Sequence, residues 1–149
     1  MTFKRIEAGD GAYQRLSDIY EAEFSPLTGA QPNADGSYPI STPLDEGHIG
    51  YFVCDAGEPV GFIVICTEEQ PYDVCEMFVL PEYRDRHFAS ELFCHVLQLY
   101  PGRWQIKQLV SATRSRSFWL KFLQGRYPYT EERYEDSKWG PVYRQLFET

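Results

Sequence analysis

The chain has 149 residues, 43% hydrophobic and 16% aromatic, with 14 basic against 22 acidic side chains and a formal net charge of −8. That length and apolar content suit a single domain, residues 1–149, with a core that needs neither disulfides nor metals. The acidic balance argues against nucleic acid, which demands a basic face, and no run approaches the roughly 20 apolar residues that span a membrane.

The amino-terminal MTFKRIEAGDG is too polar for a secretory leader, so a cytoplasmic protein is expected. Residues 3–6 read as a short first strand. After Gly9-Asp10-Gly11, the residues Tyr13, Leu16, Ile19, Tyr20 and Phe24 recur at helical spacing, and Pro26 is expected to stop that helix. Residues 25–47 are rich in Pro, Gly, Ser, Thr and Asn. So long a loop is usually functional or mobile, and a substrate-facing loop with a helical turn near Leu44-Asp45-Glu46 is expected. Three apolar runs follow at 49–55, 60–67 and 72–80. The turn sequences Ala56-Gly57-Glu58-Pro59 and Glu68-Glu69-Gln70-Pro71 between them predict an antiparallel meander.

Glu91, Leu92, Phe93, Val96, Leu97 and Tyr100 mark an amphipathic helix stopped by Pro101-Gly102. The strand at 104–110 must return beside 72–80 through that helical crossover, which makes the two parallel. Phe118, Trp119 and Phe122 lie in a further helix at 116–122. Residues 127–147 alternate aromatic and polar side chains about Trp139-Gly140-Pro141, a closing hairpin. The sum is an α/β (α+β) fold, a mixed and mostly antiparallel central sheet of six to seven strands with helices on both faces. Cys54, Cys66, Cys75 and Cys94 form no CxxC pair, and three lie in strand-like runs, so they read as small buried hydrophobes. His48, His87 and His95 complete no metal spacing with them, and no metal is expected. Neither a GxSxG elbow nor a P-loop is present.

One junction stands out. Pro81-Glu82-Tyr83-Arg84-Asp85-Arg86-His87-Phe88-Ala89-Ser90 gathers positive charge in an acidic chain, between a strand and a helix. The first turn of a helix carries orphan N–H donors and partial positive charge, and arginine offers bidentate geometry to phosphate. Arg84, Arg86 and His87 therefore read as an anion site. The alternative is surface pairing with Glu82, Asp85 and Glu91.

At these residues the sequence resembles the Gcn5-related N-acetyltransferase (GNAT) superfamily. Its members bind acyl-CoA with a loop of the form Arg/Gln-x-x-Gly-x-Gly/Ala, after a strand ending in Val-x-Pro-x-Tyr. Here Val79-Leu80-Pro81-Glu82-Tyr83-Arg84 matches the lead-in, and Arg84 and Ala89 hold the loop's first and last positions. Element order agrees over nearly the whole chain, and Ser111-Ala112-Thr113-Arg114-Ser115-Arg116-Ser117-Phe118-Trp119 resembles the second cofactor-contacting stretch. The resemblance implies acetyl-CoA as co-substrate. Main-chain groups of Phe78, Val79 and Leu80 would pair with the pantetheine arm on a strand splayed from its neighbour by a bulge. Amides and side chains of Arg84, Asp85, Arg86, His87, Phe88, Ala89 and Ser90 would hold the pyrophosphate. The thioester would lie between 72–80 and 104–110, with the acceptor entering from the side of the 25–47 loop. Three positions depart from the pattern: His87 replaces glycine, Ala112 an asparagine, and Trp119 a tyrosine that protonates the departing thiolate. Trp119 reads as core.

Direct transfer needs an oriented neutral amine, a polarised carbonyl and a proton acceptor. Glu76 and Asp73 are the carboxylates on the central strand, and period-2 alternation puts them on opposite faces. Glu76 is the preferred base, because Asp73 sits near the strand's start. His48 is a lesser candidate; Tyr127, Tyr129 and Tyr134 could donate a proton but read first as packing. The expected function is transfer of an acetyl group from acetyl-CoA to a primary amine of a small molecule or peptide. The alternative, suggested by the three departures, is a non-catalytic acyl-CoA-binding or protein-interaction domain on the same scaffold. The aromatic carboxyl-terminal hairpin is the surface expected for a homodimer, if one forms.

Overall fold

β-branched and aromatic residues favour a pleated, half-buried surface, and they dominate the middle of this chain. In the computed structural model, which describes residues 1–149, they form β2 (His48–Asp55), β3 (Glu58–Cys66) and β4 (Tyr72–Val79), an antiparallel meander. β1 (Thr2–Arg5) adds to the outer side of β2. β5 (Arg103–Leu109) lies parallel to β4, β7 (Gly140–Glu148) antiparallel to β5, and β6 (Tyr129–Asp136) forms the far edge. The seven-stranded order is β1-β2-β3-β4-β5-β7-β6, the mixed, mostly antiparallel sheet that was expected. The last hairpin turns its second strand inward for a physical reason. β7 carries the buried Val142, Gln145 and Phe147, whereas no residue of β6 is buried. Its charged TEERYED sequence suits an edge that must resist further pairing.

Two apolar clusters sandwich the sheet. On one face, α2 (Phe88–Leu99) and α3 (Thr113–Leu123) cover a core centred on Phe93, whose ring meets those of Trp104, Trp119, Phe122 and Phe147 at centroid distances of 5.1 to 6.2 Å. Trp119 is core, as read. On the other face α1 (Gly11–Thr28) packs Tyr13 and Leu16 with Phe52, Phe62 and Phe78. Ile19, read as part of that stripe, points outward instead. No helix is long and apolar enough to cross a membrane.

Three local expectations are corrected. α1 does not stop before Pro26 but runs to Thr28. Proline removes the N–H that would bond the Ala22 carbonyl, and the Ser25 hydroxyl donates to that carbonyl instead at 2.9 Å. Gly29, at φ +76°, closes the helix with its N–H on the Ser25 carbonyl. The segment near Leu44-Asp45-Glu46 is a turn rather than helical, because Asp45 Oδ1 accepts from the Gly47 N–H at 3.0 Å and pairs with His48 Nδ1. Of the four free cysteines only Cys54 is fully buried; Cys66, Cys75 and Cys94 occupy half-covered positions.

Candidate active site

β4 has one residue more than β3 can match. Val64 registers with Glu76 and Ile65 with Val74, which leaves Cys75 as a bulge. Tyr72, Val74, Met77 and Val79 pack toward α2 and α3, whereas Cys75 and Phe78 pack toward α1. The extra residue resets the alternation, so Asp73 and Glu76, expected on opposite faces, both face the α1 side. β4 registers with β5 only at Tyr72↔Trp104 and Asp73↔Gln105. Beyond Asp73 no residue of β4 pairs with β5, and this unpaired stretch between the two parallel strands is the wedge.

Glu76 stands at the start of that wedge, half-buried. It accepts a hydrogen bond from the Tyr20 hydroxyl at Oε2 and from Thr42 Oγ1 at Oε1, the latter at 3.1 Å. Burial raises its carboxyl above the usual range; the Tyr20 and Thr42 hydrogen bonds pull the other way, and the nearby Glu21 charge adds to the rise. Burial and the adjoining Glu76 charge push the Tyr20 phenol far up, so it remains a donor. The 29–47 segment is strapped to α1. Tyr13 donates to the Thr42 carbonyl at 3.1 Å, the Tyr38 N–H to Asp18 Oδ1 at 2.9 Å, and the Ser41 hydroxyl to the buried Glu21. Asp73 faces Lys107 Nζ at 3.5 Å, and its Oδ1 is buried without a partner; burial raises its carboxyl despite the lysine.

The remaining candidates are occupied elsewhere. His48 pairs with Asp45 at 2.8 Å. Tyr127 packs on Phe147, Tyr129 against the same core, and Tyr134 lies under the Arg144 guanidinium. No group of three or more His, Cys, Asp or Glu side chains is placed to hold a metal ion. Sequence reasoning missed Tyr20, Thr42 and Glu21 as site residues. Tyr20 was counted in the apolar stripe of α1, and its ring does pack there on Phe62 and Phe78; only its hydroxyl reaches the site. Thr42 sits in a loop with no periodic signal.

At the far end of β4, a single 3-10 turn (Pro81–Tyr83) leads into the junction. Arg84 Nε donates to the Val79 carbonyl at 3.0 Å, Nη2 bonds Glu23 at 2.6 Å, and the guanidinium lies 5.5 Å from the Phe78 ring centroid. Arg86 stacks over Tyr83 and Phe88 at 5.1 and 5.4 Å. Asp85 and His87 adopt φ +60° and +67°, the left-handed region that glycine favours. The His87 ring is exposed and makes no capping bond to α2. No main-chain N–H from Asp85 through Ser90 finds a protein acceptor, while Phe88 is buried and Ala89 half-buried against the core. The Ser90 hydroxyl bonds the His87 carbonyl at 3.2 Å. The main-chain expectations for Phe78, Leu80 and Arg84, and for the Val79 carbonyl, are corrected: Phe78 registers with Phe62 and turns its main-chain groups toward β3, and Arg84 Nε occupies the Val79 carbonyl. The Leu80 N–H donates to Val60 and its carbonyl accepts from Tyr83, and the Arg84 N–H donates to Pro81. Since Leu80 N–H points at β3, strand alternation turns the Val79 N–H toward the wedge.

The mixed sheet with one parallel pair open along part of its length, and the donor-lined helix start beside it, is the arrangement that the resemblance to the GNAT superfamily implies. Residues 47–122 match the family model of the acetyltransferase (GNAT) domain, and the chain belongs to that family. Its structure is similar to that of an aminoglycoside 6'-N-acetyltransferase complexed with coenzyme A (TM-score 0.69, 11% identity, 98% of this chain and 96% of that one). It is also similar to an aminoglycoside 6'-acetyltransferase type Ii (0.70, 13%, 99% and 97%) and to a spermidine N-acetyltransferase variant from Vibrio cholerae (0.68, 15%, 99% and 95%). No curated protein sequence matches the chain.

Proposed function

We propose that this protein transfers an acetyl group from acetyl-CoA to a primary amine of a small molecule or peptide, by direct transfer. One observation carries the reading: the wedge beside β4 has a half-buried, doubly hydrogen-bonded carboxylate at its start and six unpaired N–H groups at its mouth. The residues present fit acetyl-CoA. The Val79 N–H and the free edge of β4 past Asp73 suit an extended pantetheine arm, and the amides of Asp85 through Ser90 suit a pyrophosphate. Arg84 serves by holding the strand end to α1, with Phe78 beneath it.

Acetyl-CoA supplies the activated acyl carbon. The chain's own residues do the rest. Glu76 accepts the proton of the incoming ammonium; a carboxyl raised by burial is a better base than an exposed one. Glu21, Glu76 and Asp73 on one face give a negative field that draws a cationic amine to the wedge. The test is calorimetric titration with acetyl-CoA and CoA, then thiol release with a panel of polyamines and amino acids. Saturable binding and release with at least one amine are expected; absence of binding would overturn the proposal. The burial of Trp119, where a tyrosine would protonate the thiolate, favours a second reading: an acyl-CoA-binding domain without turnover. Binding with no release across the panel would select it.

A further inference from the structure

We infer that Tyr20 and Thr42 are positioning residues that aim Glu76 by one hydrogen bond to each carboxylate oxygen, so that the 29–47 loop belongs to the catalytic machinery. The inference rests on the reading of Glu76 as the base. Each carboxylate oxygen receives one donor, Oε2 from Tyr20 and Oε1 from Thr42. These donors come from 56 and 34 residues away in sequence, one on α1 and one on the loop strapped to it.

Neither donor is free to swing off. The Tyr20 ring is held among Phe24, Phe62 and Phe78 at 5.0, 5.8 and 5.5 Å. Thr42 is gripped through its own carbonyl by Tyr13, and its neighbour Ser41 is bonded to Glu21. A carboxylate has about four acceptor positions, so two remain after these bonds. An incoming amine therefore meets a carboxylate already fixed in direction, which is what positioning contributes to rate.

The groups that face Glu76 are Tyr13, Tyr20 and Glu21 from α1, Thr42 from the loop, Cys75 on its own strand and Lys138 from the β6–β7 turn. Only Tyr20 and Thr42 bond it. Removing either hydroxyl leaves the surrounding charges in place and takes away a bond that favours the ionised form. The Glu76 titration midpoint should then rise.

The test uses the full chain with carbon-13 in the glutamate δ-carboxyls, the Glu76 signal being assigned as the one that Glu76→Gln removes. Tyr20→Phe and Thr42→Val should each raise the midpoint by about one pH unit, a tenfold change in acidity. Thr42→Ser, which keeps the hydroxyl, should restore it. If Tyr20→Phe does not fold, the threonine pair decides. An unmoved midpoint in Thr42→Val, or a raised one in Thr42→Ser, overturns the inference. Failure of the base reading looks different: Glu76→Gln would then keep full thiol release in the amine panel, whatever the midpoints show.

Discussion

Replacing Arg84 by alanine separates two tasks that one guanidinium could serve, closing the end of β4 or charging a phosphate. The structure gives the first a magnitude. The Nε bond to the Val79 carbonyl has a charged donor and contributes about 1.5 kcal/mol. The Glu23 pair is close at 2.6 Å but about a third exposed on both sides, so screening holds it to about 0.5 kcal/mol. The contact with the Phe78 ring adds about 0.5 kcal/mol. Losing roughly 2.5 kcal/mol should lower Tm by about 5–10 °C for a chain of this size. Calorimetric melting of the ligand-free variant measures that directly. Titration with CoA at low and moderate salt then measures the second task. With the anion site assigned, as proposed, to the amides of Asp85 through Ser90, affinity should weaken by no more than about threefold, and Glu23→Gln should show a smaller Tm loss of the same sign. An unchanged Tm with CoA affinity down about tenfold or more, some 1.4 kcal/mol, would refute this assignment and hand Arg84 to the phosphate.

Glu76→Gln should retain CoA binding and lose about 10²- to 10⁴-fold in turnover, read by thiol release. It should also raise Tm at neutral pH. The native carboxyl titrates above its unfolded value because of burial, so its contribution is fully present below the unfolded pKa and is lost as pH rises through the folded one. The Tm difference should therefore be smallest in acid and grow toward neutrality; a difference independent of pH would contradict the burial of Glu76. Gly61→Ala should destabilise by about 1–3 kcal/mol and weaken CoA binding. A Cβ there would lie 2.6 Å from the Phe78 carbonyl oxygen and 2.9 Å from Val79 Cγ2, so β4 must move at the strand proposed to hold the cofactor; a variant with native Tm and affinity would show that it need not. His87→Gly relieves a left-handed residue worth about 1 kcal/mol, partly offset by the freer unfolded chain. Tm should hold or rise by about 1–3 °C, and a clear fall would mean that the exposed imidazole supports the loop.

Much of the frame is local and was legible. Turn residues between apolar runs marked the β2–β4 meander, and the 3.6-residue period of Leu92, Phe93, Val96 and Leu97 marked α2. A helical crossover then required β5 to lie parallel to β4. Boundaries failed where a side chain replaced a missing backbone bond. Ser25 carries α1 past Pro26, and no periodicity records that exchange. The phase of β4 failed because alternation assumes an unbroken strand, and the bulge at Cys75 appears only when β3 is laid beside it.

What the amino-acid order decided alone was the succession of elements, the apolar faces and the family-like junction, since each depends on neighbours within a few residues. What folding alone decided was who meets whom across long gaps. Tyr20 reaches Glu76, Thr42 joins them, and Glu23 takes Arg84 from 61 residues away. Side-chain partners at such separations follow from sheet register and helix docking, and those are properties of the packed whole.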